Sequence, residues 1–515
     1  MCDSNIDKIA PALALCFTIF LLIFGLKFHP IEELHAVERD DYISKAEKIR
    51  AGTIPRDPFR PLFYPLVTAG LASIIGDMFS SARVTSSLFA GLFVWLTYLL
   101  GRQCFSRQVG LFALLALMLN YNTIIEGVHV MTDMTFSALA LLTLLLTIYA
   151  YNNLRGSTVL LPALSFSLAY FTRYTAVALI PTIIISFFYL PAAQPLKKAL
   201  NRLALFILAT ALFLLPHFIL TTHVFGNPFY NENWKNLAYK VHPRLMWAVN
   251  GPPPFDGLWS VIAYAPSKFF MLSWQEGWRF IYPRLSILGG EGIAGVLFTA
   301  ATLAGIYSLI FTLDRKKILI LSFFFFYIAL ICASFTSFNR LMLPIMPLCY
   351  LLIGHFFFTD IFRGSFYLNK FNLPRTLPII IIFLVVSGAA TVPHLQQFIQ
   401  RHPLAELAAA RFLQENYGAE ISVLGSVPTL GRYVNYKYST SPPGTAKTKK
   451  NKAQYYLKLR QLIIDEDVDY LIVGSHSLRN RPPDLVHGKN LPPFLHPLSL
   501  SGEVVIYQVV KHKLK

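Results

Sequence analysis

Uncharged runs of about 17–23 residues recur along this chain, each long enough to cross a hydrocarbon core as an α-helix. Eleven are readable: Ile9–Leu26, Val84–Gly101, Gln108–Ile125, Met134–Leu154, Ser157–Thr172, Tyr174–Leu196, Leu203–Thr222, Gly292–Leu313, Ile318–Phe338, Leu341–Thr359 and Leu377–Pro393. Composition agrees. The chain of 515 residues is 55% hydrophobic and only 14% charged, where a soluble protein carries roughly 25% charged residues. The 43 phenylalanines suit helices that face acyl chains. The fold expected is an all-α polytopic membrane protein of about eleven transmembrane helices, followed by a small α/β domain outside the membrane.

The first run could be read as a signal peptide. However, Asp3 and Asp7 precede it with only Lys8 as a base, and no small-residue cleavage site follows. It is read as a retained first span. The net charge of +18 acquires meaning from its location. With the N-terminus in the cytoplasm, the inside loops carry Arg102, Arg107, Arg155, Lys197, Lys198, Arg202, Arg315, Lys316, Lys317, Arg363, Lys370 and Arg375 against only two acids. That is the positive-inside pattern. It leaves on the outside a first loop (27–83), short turns at 126–133, Arg173 and Asn339-Arg340, a long loop (223–284) and the C-terminal part. No basic face with interleaved aromatics precedes a soluble fold, so nucleic acid is not an expected partner.

The division expected is a membrane domain over 1–393 and an extracytoplasmic domain over 394–515. In the latter, Pro403–Tyr417 has helical spacing, and Ile421–Leu424, Tyr470–Val473 and Val504–Val509 read as strands. Ser439–Arg460, rich in Pro, Gly and Lys, reads as a mobile loop whose lysines keep it solvated or rest on anionic headgroups. Cys2, Cys16, Cys104, Cys332 and Cys349 fall in spans or on the inner side, so no disulfide framework is implied. No Walker lysine motif, CxxC pair or HExxH occurs. ATP-driven transport would need a separate partner.

Unusual charges gather at the outer boundary. Asp40-Asp41 precede Tyr42, and Arg60-Pro61 follows about twenty residues later. Glu126, His129 and Asp133 flank the turn between the third and fourth spans, and Arg173 and Arg340 occupy later turns. Carboxylates beside a bilayer are costly to desolvate, which makes acid/base chemistry or cation binding the first question. Plainer roles compete. Acids before Tyr42–Ala51, or at Asp133, favour a helix N-terminus. Arg173 and Arg340 reach headgroups by snorkelling, and His129 suits a satisfied boundary histidine. Trp234, Trp247, Trp274 and Trp278 fit an interfacial aromatic belt better than a sugar platform.

Five segments in order carry a resemblance: Asp40-Asp41-Tyr42 with Arg60-Pro61 and Tyr64-Pro65; Val130-Met131-Thr132-Asp133; Phe171-Thr172-Arg173; Phe225–Tyr230; and Arg340–Pro347. The chain resembles the C-type (GT-C) glycosyltransferases, on the branch of the protein O-mannosyltransferases and the lipid A aminoarabinose transferases. The usual Asp-Glu of that family reads Asp40-Asp41 here, with Glu38 as a third candidate, and Leu341 replaces the usual aromatic. The resemblance implies an inverting membrane enzyme of the cell envelope. It would move a hexosyl or pentosyl group from a polyprenyl-phosphate carrier to a glycan, lipid or protein acceptor on the outer face of the inner membrane. Asp41 or Asp40 is the expected general base. Arg60, Arg173 and Arg340 are expected on the donor phosphate, because the guanidinium fork pairs with phosphate oxygens bidentately. Asp133, with His129 and Glu126, would orient the acceptor or hold a divalent cation. The competing readings are a flippase or transporter of a lipid-linked sugar, which would want charges near the bilayer midplane, and an outer-face polysaccharide polymerase or ligase. A receptor anchored by its membrane part is a further reading.

Overall fold

The structure is a computed structural model. It describes residues 3–28, 42–57, 59–153, 156–189, 195–242, 255–290, 292–312, 314–334, 339–358, 365–368, 371–374, 377–400, 404–418, 420–425, 435–438, 449–474, 484–485, 491–500 and 504–514. The chain divides into two compact units. One comprises Met1–Phe28 and Tyr42–Gln397, and Phe398–Lys515 falls in the other.

The larger unit is helical. Its elements in order are α1 (Asp3–Ile23), α2 (Tyr42–Arg50), α3 (Phe63–Ile75), α4 (Met78–Cys104), α5 (Arg107–Met118), α6 (Tyr121–Glu126) and α7 (Thr132–Asn152). There follow α8 (Leu160–Tyr170), α9 (Leu179–Tyr189), α10 (Leu196–Phe225), α11 (Trp234–Val241), α12 (Leu258–Tyr264), α13 (Pro266–Arg279) and α14 (Leu285–Gly289). Then come α15 (Ile293–Phe311), α16 (Arg315–Ser334), α17 (Met346–Phe358), a two-stranded hairpin of β1 (Ser365–Leu368) and β2 (Phe371–Pro374), and α18 (Leu377–Gln400). Among the described residues eight helices are long and apolar enough to cross a membrane: Asn5–Leu26, Met78–Cys104, Thr132–Asn152, Leu196–Phe225, Ile293–Phe311, Arg315–Ser334, Arg340–Phe358 and Leu377–Ile399. Each meets an expected span. Phe63–Ile75, Arg107–Met118, Gly156–Tyr170 and Tyr174–Phe188 are apolar but shorter.

Local chemistry explains the departures. The run Gln108–Ile125 is not one helix but two. Asn120 has extended backbone and caps α6, its Oδ1 accepting from the amides of Asn122 at 2.9 Å and Thr123 at 3.3 Å. Its Nδ2 donates to the carbonyl of Leu288 and to the Tyr350 hydroxyl, at 2.7 and 3.0 Å. A buried amide so well satisfied stops a helix more firmly than apolar flanks continue it. The residues 197–202 expected in a loop are already helix, since Pro195 occupies the N-cap and α10 starts at Leu196. The tenth span opens as a 3₁₀ segment, Asn339–Ile345, before α17. Pro344 lies inside that segment and Pro347 in the first turn of α17, the place where a missing N–H is tolerated.

Close helix contacts rest on small residues. A Cβ at Gly110 would lie 2.6 Å from the Tyr98 carbonyl oxygen, and one at Gly101 would lie 2.5 Å from the Gly110 Cα. Backbone therefore meets backbone where α4 crosses α5. Gly110→Val is expected to force these helices apart, costing about 1–3 kcal/mol. An unchanged thermal midpoint of the purified protein would refute this. The first helix belongs to the same bundle. Asp7 accepts from the Tyr98 hydroxyl at 2.5 Å, from Arg102 at 3.0 Å and from Arg107 at 3.1 Å.

The smaller unit holds α19 (Leu404–Tyr417), β3 (Ser422–Gly425), β4 (Asn435–Tyr438), α20 (Lys449–Asp465), β5 (Tyr470–Gly474), β6 (Leu495–Leu500) and β7 (Val504–Val509). The five-stranded sheet runs β4-β3-β5-β7-β6, parallel across its first three strands and antiparallel across the rest. Tyr455, Leu459 and Ile463 of α20 pack on one face with Leu471, Val473 and Tyr507. Ala409, Ala410 and Leu413 of α19 pack with Val423, Ile472 and Ile506. The expected loop Ser439–Arg460 is corrected in its second half. From Lys449 it is helix, since Tyr455, Leu459 and Ile463 recur at helical spacing. Residues 439–448 lie outside the described part.

Candidate functional site

The N-terminus of α7 organises the site. Met131 is extended, and Thr132 and Asp133 open the helix. An acid in the first turn favours the positive end of the helix dipole. Asp133 is nonetheless 3% exposed, so it needs more than a dipole. Its partner is Arg173, whose guanidinium donates to Asp133 Oδ1. Arg173 has extended backbone between α8 and the 3₁₀ turn Tyr174–Ala178, and its amide closes α8 on Ala169 O at 2.8 Å. Thus the acidic motif before the fourth span and the basic turn after the fifth, separate in sequence, form one ion pair.

The first loop joins the same place. Tyr42 OH and Thr132 Oγ1 are 3.1 Å apart. The Tyr42 ring meets Tyr64 edge-to-face at 5.4 Å, and Tyr64 donates to Ala82 O at 2.9 Å. Lys45, one turn after Tyr42, is 3% exposed and pairs with Asp57. Asp57 Oδ1 accepts from the amides of Phe59 at 2.7 Å and Arg60 at 3.2 Å, and its Oδ2 lies 3.6 Å from the Arg60 guanidinium. The amide of Phe63 donates to Phe171 O at 3.0 Å, tying the segment after Arg60 to the turn that carries Arg173. A narrow cleft lies there, lined among others by Asp57, Arg60, Tyr174, His217 and Thr221.

The other expected residues fall nearby. Ser86 donates to His129 O at 2.6 Å and Ser87 to Gly127 O at 3.0 Å, fastening the turn before α7 to α4. Glu126 Oε1 is 3.6 Å from His129 Nδ1. Arg340 Nη1 lies 3.8 Å from Met131 Sδ, two residues from Asp133. Asp40 and Asp41, and Glu38 with them, lie outside the described residues, as does Trp247. Phe225–Tyr230 is a turn: Gly226 has φ +74° and ends α10, and Asn227 Oδ1 accepts from the Phe229 amide at 2.9 Å. Trp274 and Trp278 are exposed. Among the described residues no three His, Cys, Asp or Glu side chains gather as a metal site would require.

Sequence reasoning missed Lys45, Asp57, Tyr174 and His217. The spacing Tyr42-Lys45-Ala46 on one buried helix face was a signal for the first. Asp57, three residues before Arg60, was a signal for the second.

Fold and site together describe a polytopic membrane protein with the GT-C glycosyltransferase architecture, in which Asp57, Arg60, Asp133, Arg173 and Arg340 lie close to one another at the start of α7 and the segments packed on it. The comparisons agree with this class. Residues 59–219 match the family model described as dolichyl-phosphate-mannose-protein mannosyltransferase. The structure is similar to ArnT from Cupriavidus metallidurans bound to undecaprenyl phosphate, with TM-score 0.60 and 12% identity over 96% of this chain and 97% of that one. The apo state of the same protein gives TM-score 0.61 at 12% identity, covering 98% of each chain. The archaeal oligosaccharyltransferase AglB from Archaeoglobus fulgidus, in complex with an inhibitory peptide and a dolichol-phosphate, gives TM-score 0.53 at 11% identity, over 90% of this chain and 69% of that one. No curated protein sequence matches the chain.

Proposed function

We propose that this protein transfers a sugar from a polyprenyl-phosphate carrier to an acceptor hydroxyl at the extracytoplasmic face of the inner membrane, with inversion. One observation carries the reading: Tyr42, the residue after Asp41, bonds to Thr132, whose neighbour Asp133 pairs with Arg173. Tyr42, the first described residue after the two acids, is thereby held close to the Asp133–Arg173 pair. The ArnT structure bound to undecaprenyl phosphate supports a lipid phosphate as the ligand class.

The chemistry follows from these groups. Asp41 or Asp40 takes the proton of the acceptor hydroxyl, whose oxygen attacks the anomeric carbon from the face opposite the phosphate. The bond from that carbon to the phosphate oxygen breaks, and its electron pair goes to the leaving phosphate. Arg60, Arg173 and Arg340 meet the developing charge. Arg60 is fixed at both its amide and its guanidinium by Asp57, so it is already oriented before substrate arrives. Asp133 holds Arg173 in place, and Glu126 and His129, 3.6 Å apart, are the groups assigned to the acceptor. Passage of a lipid-linked sugar is the weaker reading, because the charges gather at helix ends.

The test is direct. Arg60→Ala is expected to raise the donor concentration needed for half-maximal transfer about tenfold or more, the loss of one charge-assisted contact. Undecaprenyl phosphate binding to the purified protein should weaken in parallel. Unchanged donor dependence at equal expression would remove Arg60 from the phosphate site.

A further inference from the structure

A second cleft lies apart from the residues gathered around Arg60 and Arg173. It forms where α6, the turn at Gly289-Gly290 and the C-terminal half of α18 meet, and Tyr121, Asn122, Gly290, Thr391 and His394 are among its walls. It gives solvent about 80 Å³ of room, where one water needs roughly 10–15 Å³. The cleft also opens outward. A molecule larger than this can therefore insert one edge and leave the rest outside. Gly290, at φ +111°, shapes one wall: any side chain there would be strained, and its Cβ would lie 3.4 Å from that of Ala390.

Polar groups in the cleft have hydrogen bonds to spare. Asn120, beside it, is spent on capping α6 and on Leu288 and Tyr350. Asn122 is not. Its Nδ2 lies 3.4 Å from Leu288 O and 3.5 Å from Ile287 O, at the outer limit of a hydrogen bond. Among the described residues its Oδ1 accepts from none. The His394 ring centre is 5.1 Å from that of Tyr121, and its nitrogens likewise bond to none of the described residues. Thr391 donates to Leu119 O at 2.7 Å, and its oxygen can still accept. Asn122 also stands four residues before Glu126 on α6, on the same face and about 6 Å along the axis. Glu126 Oε2 is buried without a hydrogen-bond partner among the described residues.

We propose that this cleft binds a neutral sugar unit of the acceptor, which makes the acceptor a glycan; the proposal rests on the transferase reading above. Amide, imidazole and hydroxyl supply donors and acceptors together, as vicinal sugar hydroxyls require. A phosphate would need guanidinium or ammonium partners, and the described walls hold none. The sugar's hydroxyls meet Asn122, Thr391 and His394, and its apolar C–H face lies against the Tyr121 ring. Along the shared face of α6 the glycan then leads toward Glu126 and His129, the groups assigned to the acceptor.

The experiment uses the full-length protein in nanodiscs and saturation-transfer NMR, with methyl glucoside, methyl mannoside and methyl galactoside as probes. Wild type should bind at least one of them with a dissociation constant of about a millimolar. Asn122→Ala and His394→Ala should each weaken that binding about fivefold, the loss of a neutral hydrogen bond. Ala390→Leu, which fills the cleft and removes no polar group, should abolish it. Undecaprenyl phosphate binding should be unchanged in all three variants, which shows that they fold. No glycoside binding by wild type, or binding that survives all three substitutions, would overturn the proposal. Equal displacement by glycerophosphoethanolamine would mark a lipid headgroup site and overturn the sugar assignment. In transfer assays Asn122→Ala should leave the donor concentration for half-maximal rate unchanged. A rise would put the donor's own sugar in the cleft and overturn the acceptor assignment. A wild type that binds glycoside but not undecaprenyl phosphate would instead sink the transferase reading.

Discussion

Replacing Asp40 and Asp41 together by Asn is expected to lower sugar transfer about 10²–10⁴-fold, the usual contribution of a general base. Donor binding should persist. The substitution keeps the shape and the capping ability of the side chains, so α2 still starts at Tyr42 and Lys45 still reaches Asp57. A helix-capping role alone predicts the reverse pattern: near-normal transfer, because Asn caps as well as Asp. The single variants then divide the effect. The base is the residue whose replacement alone reproduces the double loss, and its pH–rate profile should lose the acidic limb. If the double variant transfers at the wild-type rate with equal protein in the membrane, neither residue is the base.

The membrane architecture was legible because its cause is local. Charge-free length favours a spanning helix, and each long apolar helix fell on an expected run. Interruptions were less legible, because they depend on partners remote in sequence. Asn120 ends a helix through an amide satisfied by Leu288 and Tyr350, more than 160 residues away, which no pattern around Asn120 announces. The strands β3, β5 and β7 are built mainly on Val, Ile, Leu and Tyr and were foreseen. The strands β4, Asn-Tyr-Lys-Tyr, and β6, with Pro497 inside it, were not, since both lie at sheet edges where apolar alternation is not demanded.

The site was half legible for a similar reason. Residue types at one boundary could be read from topology, but their pairing could not. Arg173 was expected on the donor phosphate and Asp133 on the acceptor or a divalent cation; that the two pair with each other is seen only in the structure. Lys45 and Asp57 escaped notice because each looks like an ordinary surface charge until burial makes them a pair.

That Asp133–Arg173 pair leads to the second large expectation. Asp133→Asn should lower stability by about 3 kcal/mol, because it removes a counter-charge from a mostly buried guanidinium. Arg173→Gln should cost a similar amount by taking a cationic partner from a carboxylate that is 3% exposed. Removing both charges in Asp133→Asn/Arg173→Gln should cost less than the two single losses summed, by about 0.5–3 kcal/mol of coupling. If Asp133 served only the N-terminus of α7 and Arg173 only reached headgroups, the two losses would add. Chemical or thermal unfolding of the purified variants decides between these patterns. Transfer assays separate position from charge. When Asp133 acts by aiming Arg173, its Asn variant needs more donor for half-maximal rate, as Arg173→Gln does, and the double variant resembles the Arg173 variant alone. A double variant far worse than either single one would place Asp133 on a different partner, the acceptor being the nearest alternative.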